Sequence, residues 1–351
     1  MICVKVEEPQ PIVRRRATVK RNEAGTPVLD QLDRQIVAVL QNDARTSWST
    51  IARVVGTSEA TISRRAQRLI DSGVLLLSAA ANPGHDRSSS DVFVLLSCTT
   101  GYTRSVSEAL AARPEVRFAA ILTGVFDVVV EITFLSVDEL TSFVVDEISK
   151  IPGVENANTL TIVHNWKTAN TWARGLIGES KLPLATPLPG SLGSLHLDAI
   201  DVQLIDLLRA NPRSKSAELA VSAGTSEAMV RRRLDTLISH AALQFSTYIP
   251  PQLMGFSFEA FLWINVDSRS LASVAERLSE LNAVRYVSNA AGSFNLLVEV
   301  VFHDLDEIHD FQTVILADCE GIRRVDITLE LQTIKRNFAN VARPAPPRAV
   351  N

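Results

Sequence analysis

The sequence predicts an α+β fold in which two three-helix units alternate with two βαββαβ units. One observation is a repeated pentapeptide, GTSEA, which occurs at residues 56–60 and 224–228, each time ahead of arginines and an apolar stripe. The other is a much longer repeat, because a shift of 168 positions aligns residues 32–167 with residues 200–335 without a net gap. A match of this length indicates duplication of a whole two-part protein rather than a short solenoid repeat.

Composition limits the class of protein. Hydrophobic residues make up 46% and charged residues 21% of the chain, which is typical of a globular protein with a core. The net charge is −4, so any nucleic-acid binding depends on local basic patches. The three cysteines are far apart, which argues against a disulfide framework and favours a reducing, cytoplasmic location. No secretory leader or membrane span is expected, since Asp127 and Glu131 interrupt the most apolar long stretch, residues 118–137.

The first part of each copy is predicted to contain three helices with apolar residues at helical spacing. The second helix is expected near residues 49–55 and 217–223, and the third begins near Ser58 and Ser226. The glycine of GTSEA permits the left-handed turn that ends a helix, and serine or threonine can cap the next one. Helix, glycine turn and helix predict winged-helix-like helix-turn-helix domains, called readers below. These domains are expected at residues 29–78 and 196–246.

The third helix of each reader has an apolar side and a polar, basic side. Small residues let the helix approach base edges, arginine reaches guanine or phosphate, and threonine contacts bases, so the polar side predicts contact with double-stranded DNA. The residues expected to make this contact are Ser58, Thr61, Ser63, Arg64, Arg65 and Arg68 in copy one, and Ser226, Arg231, Arg232 and Arg233 in copy two.

Other interpretations of these helices stay open. Arg65 and Arg233 are expected nearer the core, where they could be structural. A solvated charged face on a structural helix is the general alternative, although the two preceding helices and the glycine turn favour DNA binding. In copy two, Met229 replaces a threonine and Asp235 replaces a glutamine on the outward side. The second reader is therefore expected to recognise a different half-site or to bind more weakly.

The second part of each copy alternates β-rich runs with amphipathic helices in the order βαββαβ, the ferredoxin-like arrangement. In copy one these elements are expected at residues 92–96, 105–112, 116–122, 127–134, 137–150 and 154–163, and in copy two at 258–266, 270–281, 284–290, 296–302, 306–317 and 322–331. The domains are expected at residues 88–170 and 254–338.

Three further segments are predicted to lack regular structure. Residues 171–195 are rich in proline and glycine and are expected to form a linker. Residues 1–28 are expected to be a basic tail, although the run RRRATVKR could instead be an arm that follows a DNA groove. Residues 339–351 are expected to be a C-terminal tail.

The stretch GTSEATISRRAQRLIDSGVL, followed by βαββαβ with TGVFD and IPGV, resembles the leucine-responsive regulator (Lrp)/AsnC family of transcription factors. The resemblance covers almost the whole chain outside the tails and linker. It implies a DNA-binding regulator whose α/β module, often called the RAM domain, dimerises through its sheet and binds a small-molecule effector, commonly an amino acid, between modules. The tandem form is unusual, since family members are usually single-copy chains that dimerise.

The resemblance also places the effector at the loop after the second strand of each module. The residues that it indicates are Leu122, Thr123, Gly124, Val125, Phe126 and Asp127 in copy one, and Ala290, Ala291, Gly292, Ser293, Phe294 and Asn295 in copy two. Loop amides and a carboxylate suit the two ends of a zwitterion. Because Asn295 stands where copy one has Asp127, the two sites are not expected to bind alike. The alternative is a purely conformational turn, with Gly124 and Gly292 required for backbone geometry.

No catalytic, metal or cofactor site is predicted. The segment FHDLDEIHDF, residues 302–311, contains ligand-type residues, but acidic residues at a helix start offset the helix dipole without a metal. No P-loop, nucleophile elbow or dinucleotide motif is present.

Two rival functions remain. The siroheme decarboxylases share the two-part architecture, sometimes in tandem, and would make the chain a tetrapyrrole enzyme. The arginine-rich readers and the few histidines of the α/β modules, His164, His303 and His309, favour the regulator. The third interpretation is a ligand-binding oligomerisation scaffold with a silent reader.

Overall fold

The computed structural model describes residues 29–81, 90–113, 115–134, 136–168, 195–240, 242–337 and 339–341. Copy one comprises α1 (Gln31–Asn42), α2 (Trp48–Val55), α3 (Glu59–Asp71), β1 (Leu76–Ala81), β2 (Ser90–Cys98), α4 (Thr103–Ala111), β3 (Val116–Leu122), β4 (Val128–Phe134), α5 (Val137–Thr141) and β5 (Val154–Lys167). The predicted N-terminal tail, and nearly all of the predicted linker and C-terminal tail, lie outside the described residues.

Copy two repeats this order with two additions. Its elements are α6 (Ala199–Ala210), α7 (Ser216–Ala223), α8 (Glu227–Ser239), β6 (Leu243–Tyr248), α9 (Pro251–Met254), β7 (Phe258–Val266), α10 (Leu271–Ser279), β8 (Val284–Ala291), β9 (Leu296–Phe302), α11 (Leu305–Asp310), β10 (Ile322–Arg336) and β11 (Ala339–Asn340). The three helices and the βαββαβ order expected for each copy are therefore both present.

The last helix and the last strand of each α/β module differ from the prediction. The helix expected at residues 137–150 ends as α-helix at Thr141 and continues as a π-helical turn, Ser142–Glu147, and a short 3-10 turn. The last strands run beyond the predicted residues 163 and 331 to Lys167 and Arg336. They are longer because each pairs with a strand of the other copy, and that long-range pairing leaves no local pattern in the sequence.

The strands of the two α/β modules form one closed antiparallel sheet. β5 pairs with β2 of its own copy and with β8 of the other, whereas β10 pairs with β7 and with β3. The strand order β10-β3-β4-β2-β5-β8-β9-β7 thus returns to β10, and we call this closed sheet the barrel. One face of its strands packs on the helices, as in the cluster of β2, β3 and β4 residues with Val106 and Leu110. The other face encloses a shared aromatic core that includes Phe93, Phe118, Phe261, Trp263, Tyr286 and Phe294.

The two readers are interlocked as well. β1 and β6 form a two-stranded antiparallel sheet, so that one strand from each copy holds the readers together. The core of the first reader includes Ile249, Leu253, Met254 and Phe256 from the segment after β6, together with Val301 of the barrel. Residue 254, expected to begin the second α/β domain, therefore packs on the first reader. That contact depends on the fold and is invisible in the local sequence.

Side-chain caps explain where the reader helices begin. Asp30 accepts a hydrogen bond from the Asp33 backbone N at 2.9 Å, and Asp198 accepts one from the Asp201 backbone N at 3.0 Å. Each bond satisfies a backbone donor that the first helical turn leaves unpaired. Among the residues that the structure describes, none of the helices has the length and apolar character needed to cross a bilayer.

Candidate nucleic-acid interface and effector loops

A left-handed glycine and a serine cap precede the third helix of each reader. Gly56 has φ of 76° and Gly224 has φ of 63°, a region that strains residues with a side chain. The Oγ of Ser58 accepts a hydrogen bond from the backbone N–H three residues later at 3.3 Å, and Ser226 does so at 3.2 Å. The predicted turn and helix start are thus present. The hydroxyls of Ser58 and Thr61, both predicted to contact DNA, lie 2.9 Å apart.

The third helices bury the apolar side that the sequence indicated. α3 buries Ile62, Ala66 and Leu69, and α8 buries Val230, Leu234 and Leu237. Arg64 and Arg232, which occupy equivalent positions, are exposed on the outward side. The geometry therefore leaves the arginine at this position of each reader accessible to a large external partner.

Arg65 and Arg68 are bonded within the first reader. Arg65 Nη1 lies 2.5 Å from Asp30 Oδ2 and 3.0 Å from Asp33 Oδ1. Arg68 Nη2 lies 2.6 Å from the second oxygen of Asp33, whose side chain is 2% exposed. The hydrogen bond to Arg65 lowers the pKa of the Asp30 carboxyl below its usual range. Arg65 thus joins α3 to α1, and Arg68, predicted to face DNA, shares the same buried carboxylate.

The second reader has a smaller network of this kind. Arg233 Nη1 lies 2.8 Å from both Asp198 and Asp201. The position of Arg68 is taken by a threonine, so the carboxylate of Asp201 holds one arginine instead of two. Arg231 pairs with Glu227 one turn earlier, at 2.5 Å on the exposed surface, where such pairs contribute little to stability.

The candidate effector loops, residues 122–127 and 290–295, each contact the last strand of the other copy. The Thr123 backbone N donates to the Leu329 carbonyl at 2.9 Å, and the Leu329 backbone N donates to Thr123 Oγ1 at 2.9 Å. In copy two, Asn158 Nδ2 donates to Ser293 Oγ at 2.6 Å. Both loops therefore lie between the two α/β modules, and effector binding by their residues stays a prediction.

Asp127 and Asn295 connect these loops to the end of the neighbouring strand. The Cys98 backbone N donates to Asp127 Oδ2 at 2.7 Å. Asn295 makes the matching bond from the Val266 backbone N at 2.9 Å and also donates its amide to the Val266 carbonyl at 2.7 Å. Because the neutral amide of Asn295 accepts the same backbone hydrogen bond as the carboxylate of Asp127, this position has a structural role in both copies. Pairing of Asp127 with an effector ammonium stays a prediction.

The glycines of the loops satisfy conformational requirements. Gly124 has φ of 90°, and an added Cβ would lie 3.3 Å from Thr328 Cγ2. At Gly292 an added Cβ would lie 2.7 Å from the Thr159 carbonyl oxygen, too close for any side chain. The close approach of each loop to the other copy thus explains both glycines without a ligand.

The remaining effector-loop residues are divided between the barrel core and the surface. The buried ones are Leu122, Ala290 and Phe294, and the exposed ones are Gly124, Val125, Ala291, Gly292 and Ser293. The rings of Phe126 and Phe294 meet edge to face with centroids 6.4 Å apart, so the two loops contact each other at this end of the barrel.

Sequence reasoning missed a buried charge cluster formed by Glu259, Arg285, Glu299, Glu330 and Arg336. Arg285 Nη1 lies 2.6 Å from Glu259 and 3.3 Å from Glu299. Arg336 Nη2 lies 2.7 Å from Glu299 and 3.3 Å from Glu330. The three glutamates present oxygens within 4.8 Å of one another, as metal ligands do, but every one of them is also paired with a guanidinium. The arrangement therefore supports an internal ion-pair network.

Copy one contains a smaller counterpart. Arg117 Nε lies 3.3 Å from Glu131 Oε2. Burial raises the pKa of Glu131 to about 7, and burial together with the charge of Glu259 raises the pKa of Glu330 to about 8. The available signal was a glutamate at equivalent positions, 131 and 299, within two otherwise apolar strands.

The charge cluster lies where the barrel meets the readers. Gln252 of α9 donates to Glu259 Oε1 at 3.2 Å. The guanidinium carbon of Arg336 lies 5.7 Å from the ring centroid of Tyr248, which ends β6. The barrel interior is thus in contact with the strand pair that joins the readers.

The histidine-containing segment has local explanations. Asp304 accepts a hydrogen bond from the Glu307 backbone N at 2.9 Å and caps α11, in agreement with the helix-start interpretation. His303 Nδ1 lies 2.8 Å from Glu307 Oε1 on the exposed surface.

Comparison with family models agrees with the repeat. The model of the AsnC-type helix-turn-helix domain matches residues 29–70 and 197–238, and that of the Lrp/AsnC ligand binding domain matches residues 91–172 and 259–339. Both domains therefore occur twice, in the predicted order.

Relatives include an uncharacterized HTH-type transcriptional regulator of Pyrococcus abyssi, 35% identical over 147 residues that make up 41% of this chain and 93% of the relative. The HTH-type transcriptional regulator FL11 of Pyrococcus horikoshii is 34% identical over 140 residues, 40% of this chain and 92% of FL11. Each relative thus corresponds to one copy of the repeat.

Among solved structures, the siroheme decarboxylase NirDL has a TM-score of 0.60 and 13% sequence identity, covering 87% of this chain and 93% of that one. At this identity the likeness concerns the fold alone. The twofold match to both family models and the identity to single-copy regulators together decide the family. The chain belongs to the Lrp/AsnC family of transcriptional regulators and carries both domains of that family in tandem duplicate.

Proposed function

We propose that the chain binds an asymmetric site in double-stranded DNA through both readers, and that a small metabolite, an amino acid or a relative of one, modulates this binding from the loops between the α/β modules. The observation that carries the proposal is the pairing of two unlike third helices within one interlocked reader pair.

The outward sides of α3 and α8 differ in charge and chemistry. In copy one Arg64 is exposed and makes no ion pair with any of the described residues. In copy two the equivalent Arg232 is exposed, but Asp235 stands one turn further along, where its carboxylate would oppose phosphate. Two readers with these faces are expected to prefer different half-sites, so the preferred DNA lacks the palindrome that an identical pair would require.

The effector part of the proposal depends on the position of the loops. Each loop belongs to one α/β module and is bonded to the other, so a ligand bound there contacts both modules. The barrel that carries the loops also contacts the reader strand pair through the charge cluster. A ligand that shifts one module against the other would therefore change the orientation of the readers.

The test is DNA selection with the purified full-length chain, followed by fluorescence anisotropy on the selected duplex at several salt concentrations. Arg64→Glu and Arg232→Glu are each expected to weaken binding by about tenfold or more and to lower the salt slope. Arg269→Glu, the same charge reversal at an exposed site in an α/β module, is the matched control and is expected to have a small effect. Absence of salt-dependent binding by the wild type would overturn the proposal.

Amino acids are then screened by thermal shift and added to the anisotropy assay. Gly124→Ala and Gly292→Ala, which obstruct one loop each, are expected to reduce the effector response relative to each variant's own effector-free DNA affinity, and circular dichroism checks that each variant folds. An effector response that both variants retain would exclude the loops as the site.

The likeness of NirDL across most of the chain favours a tetrapyrrole enzyme as the second candidate. The three histidines of the α/β modules, His164, His303 and His309, are exposed, which favours the regulator. An absorbance spectrum of the purified chain, alone and after addition of an iron porphyrin, separates the two. A Soret band that persists through gel filtration would support the enzyme.

A further inference from the structure

Two arginines at equivalent positions of the repeat, Arg45 and Arg213, reach from one reader into the other. We propose that they form a clamp that sets the distance and angular phase of the two third helices, and hence the half-site spacing that the protein accepts in DNA. This inference rests on the proposed function, because it assumes that both readers bind DNA.

Arg213 makes the tighter half of the clamp. Its Nη1 donates to the Ala44 carbonyl at 2.6 Å and its Nη2 donates to the Thr46 carbonyl at 3.0 Å. The guanidinium carbon lies 3.7 Å from the ring centroid of Trp48, so the charged plane also stacks on the indole. Two parallel donors and a stacked face fix the guanidinium in distance and in rotation, which a lysine ammonium could not do.

Arg45 reaches in the opposite direction. Its Nη2 donates to the Ser214 carbonyl at 3.2 Å, and its guanidinium carbon lies 5.1 Å from the ring centroid of Phe245 in β6. Each arginine therefore bonds the loop between the first two helices of the other reader. The aromatic partners are specific to each copy, since Trp48 and Phe245 are matched by serine and leucine at the equivalent positions of the repeat.

The clamp places two positively charged side chains close together in a partly buried site. Burial lowers the pKa of Arg213 to about 10, and the nearby charge of Arg45 contributes in the same direction. Two half-buried guanidinium groups are held close together, with Asp43 as the carboxylate that acts on both. Like charges of this kind stay together only where hydrogen bonds and stacking offset repulsion and desolvation, so the fit is unlike an incidental surface contact.

The clamp is mechanically connected to the DNA-facing helices. Trp48 is the first residue of α2, and α2 ends at Val55, three residues before Ser58, the cap of α3. A shift at Trp48 is therefore transmitted through one short helix to the third helix. The strand pair β1–β6 joins the readers at another place, after the third helices, and a two-stranded ribbon twists easily by itself. The segment after β6 also packs on the core of the first reader. The clamp adds an attachment at the loops between the first two helices of each reader, where it restricts rotation of one reader against the other.

The test uses duplexes selected by the wild-type chain, in which the spacer between the half-sites is lengthened or shortened one base pair at a time. Wild type is expected to lose about tenfold or more in affinity for each change of spacer, because a new spacing rotates one half-site away from its helix. Arg213→Ala is expected to flatten this profile to within about threefold while keeping the base preference of each half-site. Arg209→Ala, an exposed arginine on α6, is the matched control and should keep the wild-type profile.

Two further variants distinguish the loss of the clamp from a loss of folding. Arg213→Lys keeps the charge but lacks the planar fork, and Trp48→Leu removes the stacking while leaving the hydrogen bonds. Both are expected to give intermediate spacing profiles with wild-type circular dichroism. An unchanged profile in all folded clamp variants would overturn the inference. Failure of the wild type to bind any selected duplex would instead overturn the proposed function, so the two failures are distinguishable.

Discussion

Asp33→Asn offers a direct measure of what holds the first reader together. The Asp33 side chain is 2% exposed and bonds Arg65 Nη1 at 3.0 Å and Arg68 Nη2 at 2.6 Å. Asparagine preserves the shape but removes the charge and turns one acceptor into a donor that faces a guanidinium. The repeat provides the matched variant, Asp201→Asn, because Asp201 has the same place in α6 but bonds a single arginine, Arg233, at 2.8 Å. Its other oxygen accepts a hydrogen bond from the Asp198 backbone N at 3.1 Å, a bond that the amide oxygen of asparagine can keep.

The expected magnitudes follow from the number of arginines that each carboxylate bonds and from their exposure. A hydrogen bond to a charged group contributes about 1.5–3 kcal/mol, and water replaces part of it where the partner is partly exposed. The side chains of Arg65 and Arg68 are 24% and 30% exposed. We therefore expect Asp33→Asn to cost the first reader about 3 kcal/mol and Asp201→Asn to cost the second about 1.5 kcal/mol.

Amide hydrogen exchange read by mass spectrometry is the suitable assay, because it reports local opening free energies in a chain that contains several cooperative units. Peptides from α1 and α3 are compared with those from α6 and α8. The reasoning is refuted if Asp33→Asn lowers the opening free energy of its reader by no more than Asp201→Asn does.

Three other variants probe the barrel and the helix caps. Burial raises the pKa of Glu131 from 4.5 to about 7, so its contribution to stability is complete below the unfolded pKa and declines as pH rises to about 7. Glu131→Gln should flatten that decline in urea unfolding and be about 2 kcal/mol more stable than wild type at pH 8. Trp263→Phe removes the indole donor to Thr328 Oγ1 at 3.0 Å and should cost about 2 kcal/mol in the same assay, less once Thr328→Val is added. Ser58→Ala should lower the opening free energy of α3 by about 1 kcal/mol in hydrogen exchange, and Ser58→Gly by only a few tenths.

The local elements were largely predictable because their signals are local. Apolar residues at helical spacing, the glycine at residue 56 and the serine cap at residue 58 all act within one or two turns, and the structure contains the helix and turn that they indicate. The β-rich runs at 116–122, 258–266 and 296–302 coincide with β3, β7 and β9. Duplication was visible because two copies of one pattern can be aligned without any knowledge of their contacts.

The partners of charged side chains were harder to predict. Arg68 has the outward position of a DNA contact on a helical projection, yet its guanidinium bonds Asp33 from the preceding helix. The projection gives the direction of the Cα–Cβ bond, whereas a long arginine side chain bends toward the nearest buried carboxylate. Asp127 is similar, because its carboxylate bonds the backbone of Cys98 on another strand.

The sequence by itself determined the helices, the strands, their order and their repetition, since periodicity, caps and turn residues express preferences of neighbouring positions. Only the tertiary structure decided that β5 and β10 pair with strands of the other copy and close the barrel. It also decided that Glu259, Glu299 and Glu330 lie together beside two arginines. The bonds of Arg45 and Arg213 to the loops of the opposite reader likewise depend on the tertiary structure. These contacts join residues far apart in the chain. Their free energy depends on burial and on the exact approach of two surfaces, neither of which leaves a periodic pattern in either segment.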